Sequence, residues 1–180
     1  MALRHAVLIA LQSEEATGYE IAKWFDCGMG YFWHASHQQI YQELGKMSAA
    51  GLVDFKEVEQ AGKPAKKVYR VTEKGMKALE EWLLKPAKQS IIKDELLMKV
   101  YAGHLTPPDH LLMEVRAHKK DYQALLHTFQ EIESQWFSKP GQLPLQQQYV
   151  YFTLRNGIYY TQAWLKWCDE LIEFLQQQTG

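Results

Sequence analysis

Large side chains recur at alternating steps of four and three residues in one stretch of the chain: Leu111, Val115, His118, Tyr122, Leu125, Phe129, Ile132 and Trp136. All but His118 are apolar or aromatic. A stripe of this period runs along one side of a helix and has to be covered lengthwise by another helix. The helix has a defined start in Thr106-Pro107-Pro108-Asp109, with Thr106 as cap, proline in the first turn and Asp109 against the positive end of the dipole. Lys139-Pro140-Gly141 ends it. A second long helix is predicted from about Leu145 to Gln177, with Tyr149, Phe152, Tyr160, Trp164, Trp167, Leu171 and Phe174 as its stripe. Two such helices cannot bury both stripes and their other apolar flanks, whereas a second copy of the chain supplies the missing surface. The pattern predicts a homodimer. Its interface would comprise Val115, Tyr122, Leu125, Phe129, Ile132 and Trp136 of one helix and Tyr160, Trp164, Trp167 and Leu171 of the other. A further helical stretch is expected from Ile91 to Gly103.

The first half is patterned differently. Leu3, Val7, Leu8 and Leu11 fall at helical spacing and predict a helix over Leu3 to Gln12. Thr17 followed three residues later by Glu20 is a capping box, so a second helix starts there. It should carry Ile21, Trp24 and Phe25 inward and stop at Gly28 and Gly30. Ser36 and Gln39 repeat the box. The third helix then runs to about Ala50, with Gly51 as its stop and Ile40, Leu44 and Met47 on one narrow apolar face. Leu52 to Val58 and Lys67 to Val71 alternate apolar and polar residues and read as strands. The polar link from Gln60 to Ala65 makes them a two-stranded hairpin with a basic tip, which must pack on the helices to be stable. Thr72 caps a fourth helix with Met76, Leu79, Trp82 and Leu83, ending at Lys85-Pro86. The expected fold is mainly α with a small β-hairpin. A winged helix-turn-helix unit spans residues 1–86, and an antiparallel-helix dimerisation unit spans 87–180.

Three helices followed by a basic hairpin point to double-stranded DNA as a partner. The chain of 180 residues has 20 basic and 21 acidic side chains, a net charge of -1, which excludes a cationic nucleic-acid coat. It does not exclude a small reading module, because the position of the positive charge matters more than its sum. Lys63, Lys66, Lys67, Arg70, Lys74 and Lys77 lie within one short segment whose only acid is Glu73. Ser36, His37, Gln38, Gln39 and Gln42 sit at or near the start of the third helix, where side chains reach base edges, and Gln suits adenine. Lys46, Lys63, Lys66 and Lys67 suit phosphates. The same helix face and hairpin would also serve as an ordinary solvated surface.

These residues carry a family resemblance. Thr17-Gly18-Tyr19-Glu20-Ile21, the stretch from Gly30 to Tyr41 with its Trp33-x-x-Ser36-x-x-x-Ile40-Tyr41 element, Gly51-Leu52-Val53, Gly62-Lys63-Pro64 and Lys67-Val68-Tyr69 resemble the PadR family of bacterial transcriptional regulators. Within it the chain is similar to the AphA-like virulence-activator group, which has a long C-terminal helical domain. The resemblance covers essentially the whole chain. It implies a homodimer with two winged-helix heads and a C-terminal helical dimerisation domain. A two-fold dimer, as the Val115-to-Trp136 seam predicts, would prefer a roughly palindromic, inverted-repeat operator. The resemblance also implies a phosphate contact from Tyr19, with Ser36, Gln38, Gln39 and Tyr41 on the recognition helix and Lys63 and Lys67 on the wing; Tyr41 is expected to hold phosphate as well. Many members carry Arg after the Ile-Tyr pair where this chain has Gln42, so base contact gains weight there. Some members release DNA on binding phenolic or other aromatic molecules. The stripe from Tyr149 to Phe174 therefore has two readings, dimer core or the lining of a small aromatic effector site.

Other chemistries find little support. His34 and His37 lie three apart without further ligands at a zinc spacing, so no metal is expected. Cys27-Gly28-Met29-Gly30 has Trp33 at the third glycine position of a dinucleotide fingerprint and no preceding strand. His118 reads as a core or interface histidine, and Cys168 as a small core residue. No nucleophile–base pair or phosphate loop has credible spacing, so neither an enzyme nor a cofactor is expected. A protein–protein adaptor would not require the lysine cluster. No apolar run approaches about 18 residues. With no signal-type leader and two cysteines only, a cytoplasmic, membrane-free protein is expected.

Overall fold

The computed structural model describes residues 2–27, 33, 35–60, 63–88 and 93–178, with the backbone alone at 2, 27, 60, 63 and 64. The chain divides into two compact units, Met1–Gln89 and Ser90–Gly180.

In the first unit the order is α1 (Ala2–Leu11), β1 (Ala16–Thr17), α2 (Gly18–Cys27), α3 (His37–Ala49), β2 (Val53–Gln60), β3 (Lys63–Val71) and α4 (Glu73–Leu83). The core is made where the apolar stripes meet: Val7, Leu8 and Leu11 of α1, Ile21 and Phe25 of α2, Ile40, Leu44 and Met47 of α3, and Leu79 of α4. The predicted hairpin is part of a three-stranded antiparallel sheet of order β1-β3-β2. Two residues, Ala16 and Thr17, pair with Tyr69 and Val68 and form the third strand. The hairpin strands are also longer than the alternation suggests, because β2 continues to Gln60 and β3 already begins at Lys63. Most of the expected polar link is therefore strand, and residues 61–62 lie outside the described residues, as do the expected helix stops Gly28 and Gly30. Trp24 is a correction: it is 40% exposed, on the outer side of α2, while Ile21 and Phe25 turn inward with Ala22.

Gly51 ends α3 with φ +69, the left-handed conformation that glycine adopts without strain. Its N–H donates to Ser48 O at 2.9 Å and Leu52 N–H to Met47 O at 2.9 Å, a Schellman closure. The Leu52 carbonyl then accepts both the Thr72 N–H and the Thr72 hydroxyl at 3.1 Å. The end of α3 and the start of β2 are thus tied to the junction of β3 with α4.

The second unit holds α5 (Glu95–Tyr101), a 3-10 turn (Gly103–Leu105), α6 (Pro108–Trp136), a second turn (Pro140–Gln142) and α7 (Leu145–Gln178). The helix expected over Ile91 to Gly103 is shorter: Asp94 caps it through the Leu97 N–H at 3.0 Å, and the chain tightens into a 3-10 turn after Ala102. Thr106 does not cap α6. Pro107 holds the cap position without a side-chain bond, so Pro108 and Asp109 make the first turn.

α6 and α7 form an antiparallel hairpin. Lys119 pairs with Asp169 at 2.5 Å, Tyr122 stacks on Trp164 with centroids 5.3 Å apart, and Glu133 receives Arg155 at 2.8 Å. Phe129 lies against Gly157, where a Cβ would stand 3.0 Å from the ring. The inward stripe of α7 is Tyr151, Leu154, Ile158, Thr161, Leu165, Cys168, Ile172 and Leu175, all buried or half-buried. Two expected interface residues need correcting. Val115 and Phe129 are covered within the chain, so they have no surface left for a second copy. Tyr122, Leu125 and Ile132 are half-buried in the hairpin, while Trp136 is exposed. On α7, Trp164, Trp167 and Leu171 are half-buried against Leu96, Leu112 and Cys168, whereas Tyr149, Phe152, Tyr160 and Phe174 stay more than half exposed. Desolvation between these rings pushes the Tyr122 phenol up to about 12.

Candidate nucleic-acid interface

The third helix is mounted by its apolar face. Ile40, Leu44 and Met47 are fully buried, which turns Gln38, Gln39, Tyr41, Gln42 and Lys46 outward. Its start is held by the complete capping box: Ser36 Oγ accepts the Gln39 N–H at 3.2 Å, and Gln39 Oε1 accepts the Ser36 N–H at 2.9 Å. His37 Nε2 meets Asp26 Oδ2 at 3.0 Å, linking the first turn of α3 to the last turn of α2. No sequence spacing announced that pair, since 11 residues separate the partners. Three of the five expected base readers, Ser36, His37 and Gln39, are thus engaged within the protein. Gln38 and Gln42 make no side-chain bond among the described residues.

Beside this face lies an open cleft lined by Thr17, Gly18, Tyr19, Glu20, Tyr41, Ala65, Lys66, Lys67 and Tyr69. It brings together four of the expected phosphate holders: Tyr19, Tyr41, Lys66 and Lys67. Gly18 and Tyr69 had no such expectation attached. A Cβ at Gly18 would overlap the Tyr41 ring, so the glycine is what lets that ring settle on the first turn of α2. Glu20 closes the box from below, its carboxylate accepting the Thr17 N–H at 2.7 Å and the Thr17 hydroxyl at 2.8 Å. Those two bonds hold the Glu20 carboxyl below the usual range, so it stays ionised at neutral pH and adds one negative charge to the cleft lining. Burial pushes the Tyr69 phenol up.

The wing is less cationic than β3 alone reads. Strand pairing sets Glu57 opposite Lys67 and Asp54 opposite Arg70. Lys67 Nζ stands 3.9 Å from Glu57 and 4.2 Å from the centre of the Phe55 ring, and Arg70 bonds Asp54 at 3.0 Å. Lys66 pairs in register with Val58 and has no acid partner among the described residues. Lys46 is exposed on α3, and the Lys63 side chain lies outside the described residues. Among the described residues no group of histidine, cysteine and acid side chains could hold a metal, and no helix is long and apolar enough to cross a membrane.

Comparison with known proteins gives the arrangement a lineage. Residues 7–81 match the transcriptional regulator PadR-like family, and residues 92–176 match the virulence activator alpha C-terminal family. The chain is 33% identical to "Probable transcriptional regulator Rv1176c" of Mycobacterium tuberculosis, over 99% of this chain and all of that one. Its fold is similar to the Vibrio cholerae virulence activator AphA, with TM-score 0.81 and 34% identity over 98% of this chain and 99% of that one. It is similar also to Bacillus subtilis PadR solved with operator DNA, with TM-score 0.85 and 26% identity over 97% and 99% of the two chains. A winged helix with a recognition-type third helix, joined to a C-terminal helical hairpin and matched end to end by such relatives, belongs to the PadR-like family of transcriptional regulators, in its AphA-type branch.

Proposed function

We propose that this regulator binds operator DNA as a homodimer, with α3 in the major groove and the cleft and wing on the flanking phosphates. One observation carries the reading: an exposed polar helix face on which Gln38 and Gln42 make no side-chain bond among the described residues, held by three buried side chains and a closed capping box. Operator DNA is the partner of the similar Bacillus subtilis protein, which supports the same assignment here. The exposed aromatic residues of α7 supply a surface for the second copy. A two-fold dimer presents its heads about 34 Å apart, one turn of duplex, and so favours an inverted repeat. Such a regulator works in the cytoplasm.

The test is selection of bound duplexes from a random pool at moderate salt, with sedimentation on the same preparation. Enrichment of one inverted repeat by a dimer is the expected result. A folded protein that enriches no sequence, or that sediments as a monomer at micromolar concentration, refutes it.

A second reading has its own observation. Leu97 of α5 and Tyr160, Ala163, Trp164 and Trp167 of α7 line a shallow apolar recess. Its aromatic walls suit a small aromatic effector that would control DNA release. Quenching of tryptophan fluorescence by simple aromatic acids tests it, and a spectrum unchanged at millimolar acid rejects it.

A further inference from the structure

We propose that Gln38 and Gln42 are the adenine readers of this protein, each taking one A·T pair per half-site, and that Gln39 is not a reader. The inference rests on the DNA-binding reading above and adds which side chains specify sequence and which base they choose.

A glutamine specifies adenine by two simultaneous bonds. Its carbonyl oxygen accepts from the adenine amino group while its amide donates to N7. Both ends must be free. Gln39 fails this condition, because its Oε1 already accepts the Ser36 N–H at 2.9 Å. Releasing it would open the capping box and leave the Ser36 N–H without that partner. Ser36 spends its hydroxyl on the Gln39 N–H, and His37 spends Nε2 on Asp26. Tyr41 is turned onto Gly18 in the cleft. Among the described residues nothing engages either end of Gln38 or Gln42, and both are exposed.

Their spacing fits the duplex. They stand four residues apart on one side of α3, about 6 Å along the axis at 1.5 Å per residue. That is close to two base-pair steps of about 3.4 Å. The same side continues to Gly45, where nothing lies within 4 Å of the place a Cβ would occupy. A glycine in mid-helix is destabilising relative to alanine, and among the described residues no packing requires it. It leaves the helix backbone bare on the face that carries both glutamines, which suits close approach to a groove.

The experiment uses the full chain and the sequence it selects. Each adenine of one half-site is replaced in turn by the analogue that has C–H in place of N7. Affinities are measured by fluorescence anisotropy for the wild type, Gln38→Ala, Gln42→Ala and Gln39→Ala. The expected result is two sensitive adenines in the wild type, each replacement costing about 5- to 150-fold, the range that corresponds to about 1–3 kcal/mol. One of those losses disappears in Gln38→Ala and the other in Gln42→Ala. Gln39→Ala keeps both and loses affinity evenly on all sequences. The proposal is overturned if a tightly bound selected site has no sensitive adenine, if both sensitivities survive in both variants, or if Gln39→Ala erases one. In each of those cases DNA reading itself stands. Failure to select any sequence overturns the proposal together with the reading beneath it.

Discussion

Replacing Gly75 by alanine should be among the most damaging single changes in the first unit, although it adds only a methyl group. Gly75 lies in the first turn of α4, with its N–H bonded to Thr72 Oγ at 3.0 Å. A Cβ there would overlap the Leu52 carbonyl oxygen, stand 3.1 Å from the Leu52 carbonyl carbon and come within 2.9 Å of Val71 Cγ1. Leu52 cannot simply withdraw. Its oxygen accepts two bonds from Thr72 at 3.1 Å, and its N–H is held by Met47 O at 2.9 Å. Overpacking of this kind costs about 1–3 kcal/mol, and each stretched hydrogen bond about 0.5–1.5 kcal/mol. Alanine returns about 1 kcal/mol of helix propensity. The net loss comes to about 3 kcal/mol, a large part of the roughly 5–15 kcal/mol that keeps a domain folded. Urea unfolding of the full chain, followed by circular dichroism, reads it directly. With a slope of about 1–3 kcal/mol per molar, the midpoint of the first unit should fall by about 1–3 M. A midpoint within about 0.2 M of the wild type would show that the α3–wing junction is soft and that the reasoning fails.

The wing and the remaining surfaces yield further expectations. Lys66→Ala should flatten the slope of log affinity against log salt by about one unit, and Lys67→Ala by less, because Glu57 already shares the Lys67 charge. Equal slopes for the two variants would contradict the pairing. Phe152→Glu combined with Phe174→Glu should leave the chain folded but convert a sedimenting dimer to monomer, since both rings are more than half exposed. An unchanged dimer would move the interface elsewhere. Gly45→Ala should stabilise the first unit by about 1 kcal/mol and yet weaken specific binding, whereas a stabilised variant that binds as well as wild type removes the close-approach role. The Glu20 carboxyl is held below its usual range by Thr17, so its support for the start of α2 is present above about pH 4.3 and fades as the pH falls through the lowered value. A Glu20 resonance titrating at or above the ordinary glutamate value would contradict this.

Local chemistry was readable wherever it is written within a few residues. The boxes at Thr17/Glu20 and Ser36/Gln39, the Thr72 cap and the Gly51 stop all stand where the sequence places them. Features that depend on distant partners were not readable. Two residues make β1 only because β3 offers an edge to pair with. His37 finds Asp26 across a helix boundary, and Trp24 turns outward although its neighbours' period points it inward. In α7 the aromatic stripe drew attention to itself, while the stripe that faces α6 is centred on Thr161 and Cys168, small residues that a search for large apolar side chains passes over. Periodicity finds both stripes but does not state which belongs to the chain's own hairpin. Gln38, Gln39 and Gln42 look alike in sequence, and only the bond from Ser36 sets Gln39 apart.

The two-sided character of α7 bears on how such a chain can diverge. The helix is 34 residues long, about 50 Å of continuous rod. One side is filled by its own hairpin partner, and another presents Tyr149, Phe152, Tyr160 and Phe174. Between the two sides runs a polar strip of Gln162, Lys166, Glu170 and Glu173. A second copy seated on the aromatic face would leave that strip as the part of α7 most open to neutral drift. Elsewhere on the helix a substitution meets either the chain's own core or the aromatic face. Lineages that differ in partner preference should therefore differ first at the aromatic positions, with the Ile158-to-Leu175 seam left intact beneath them.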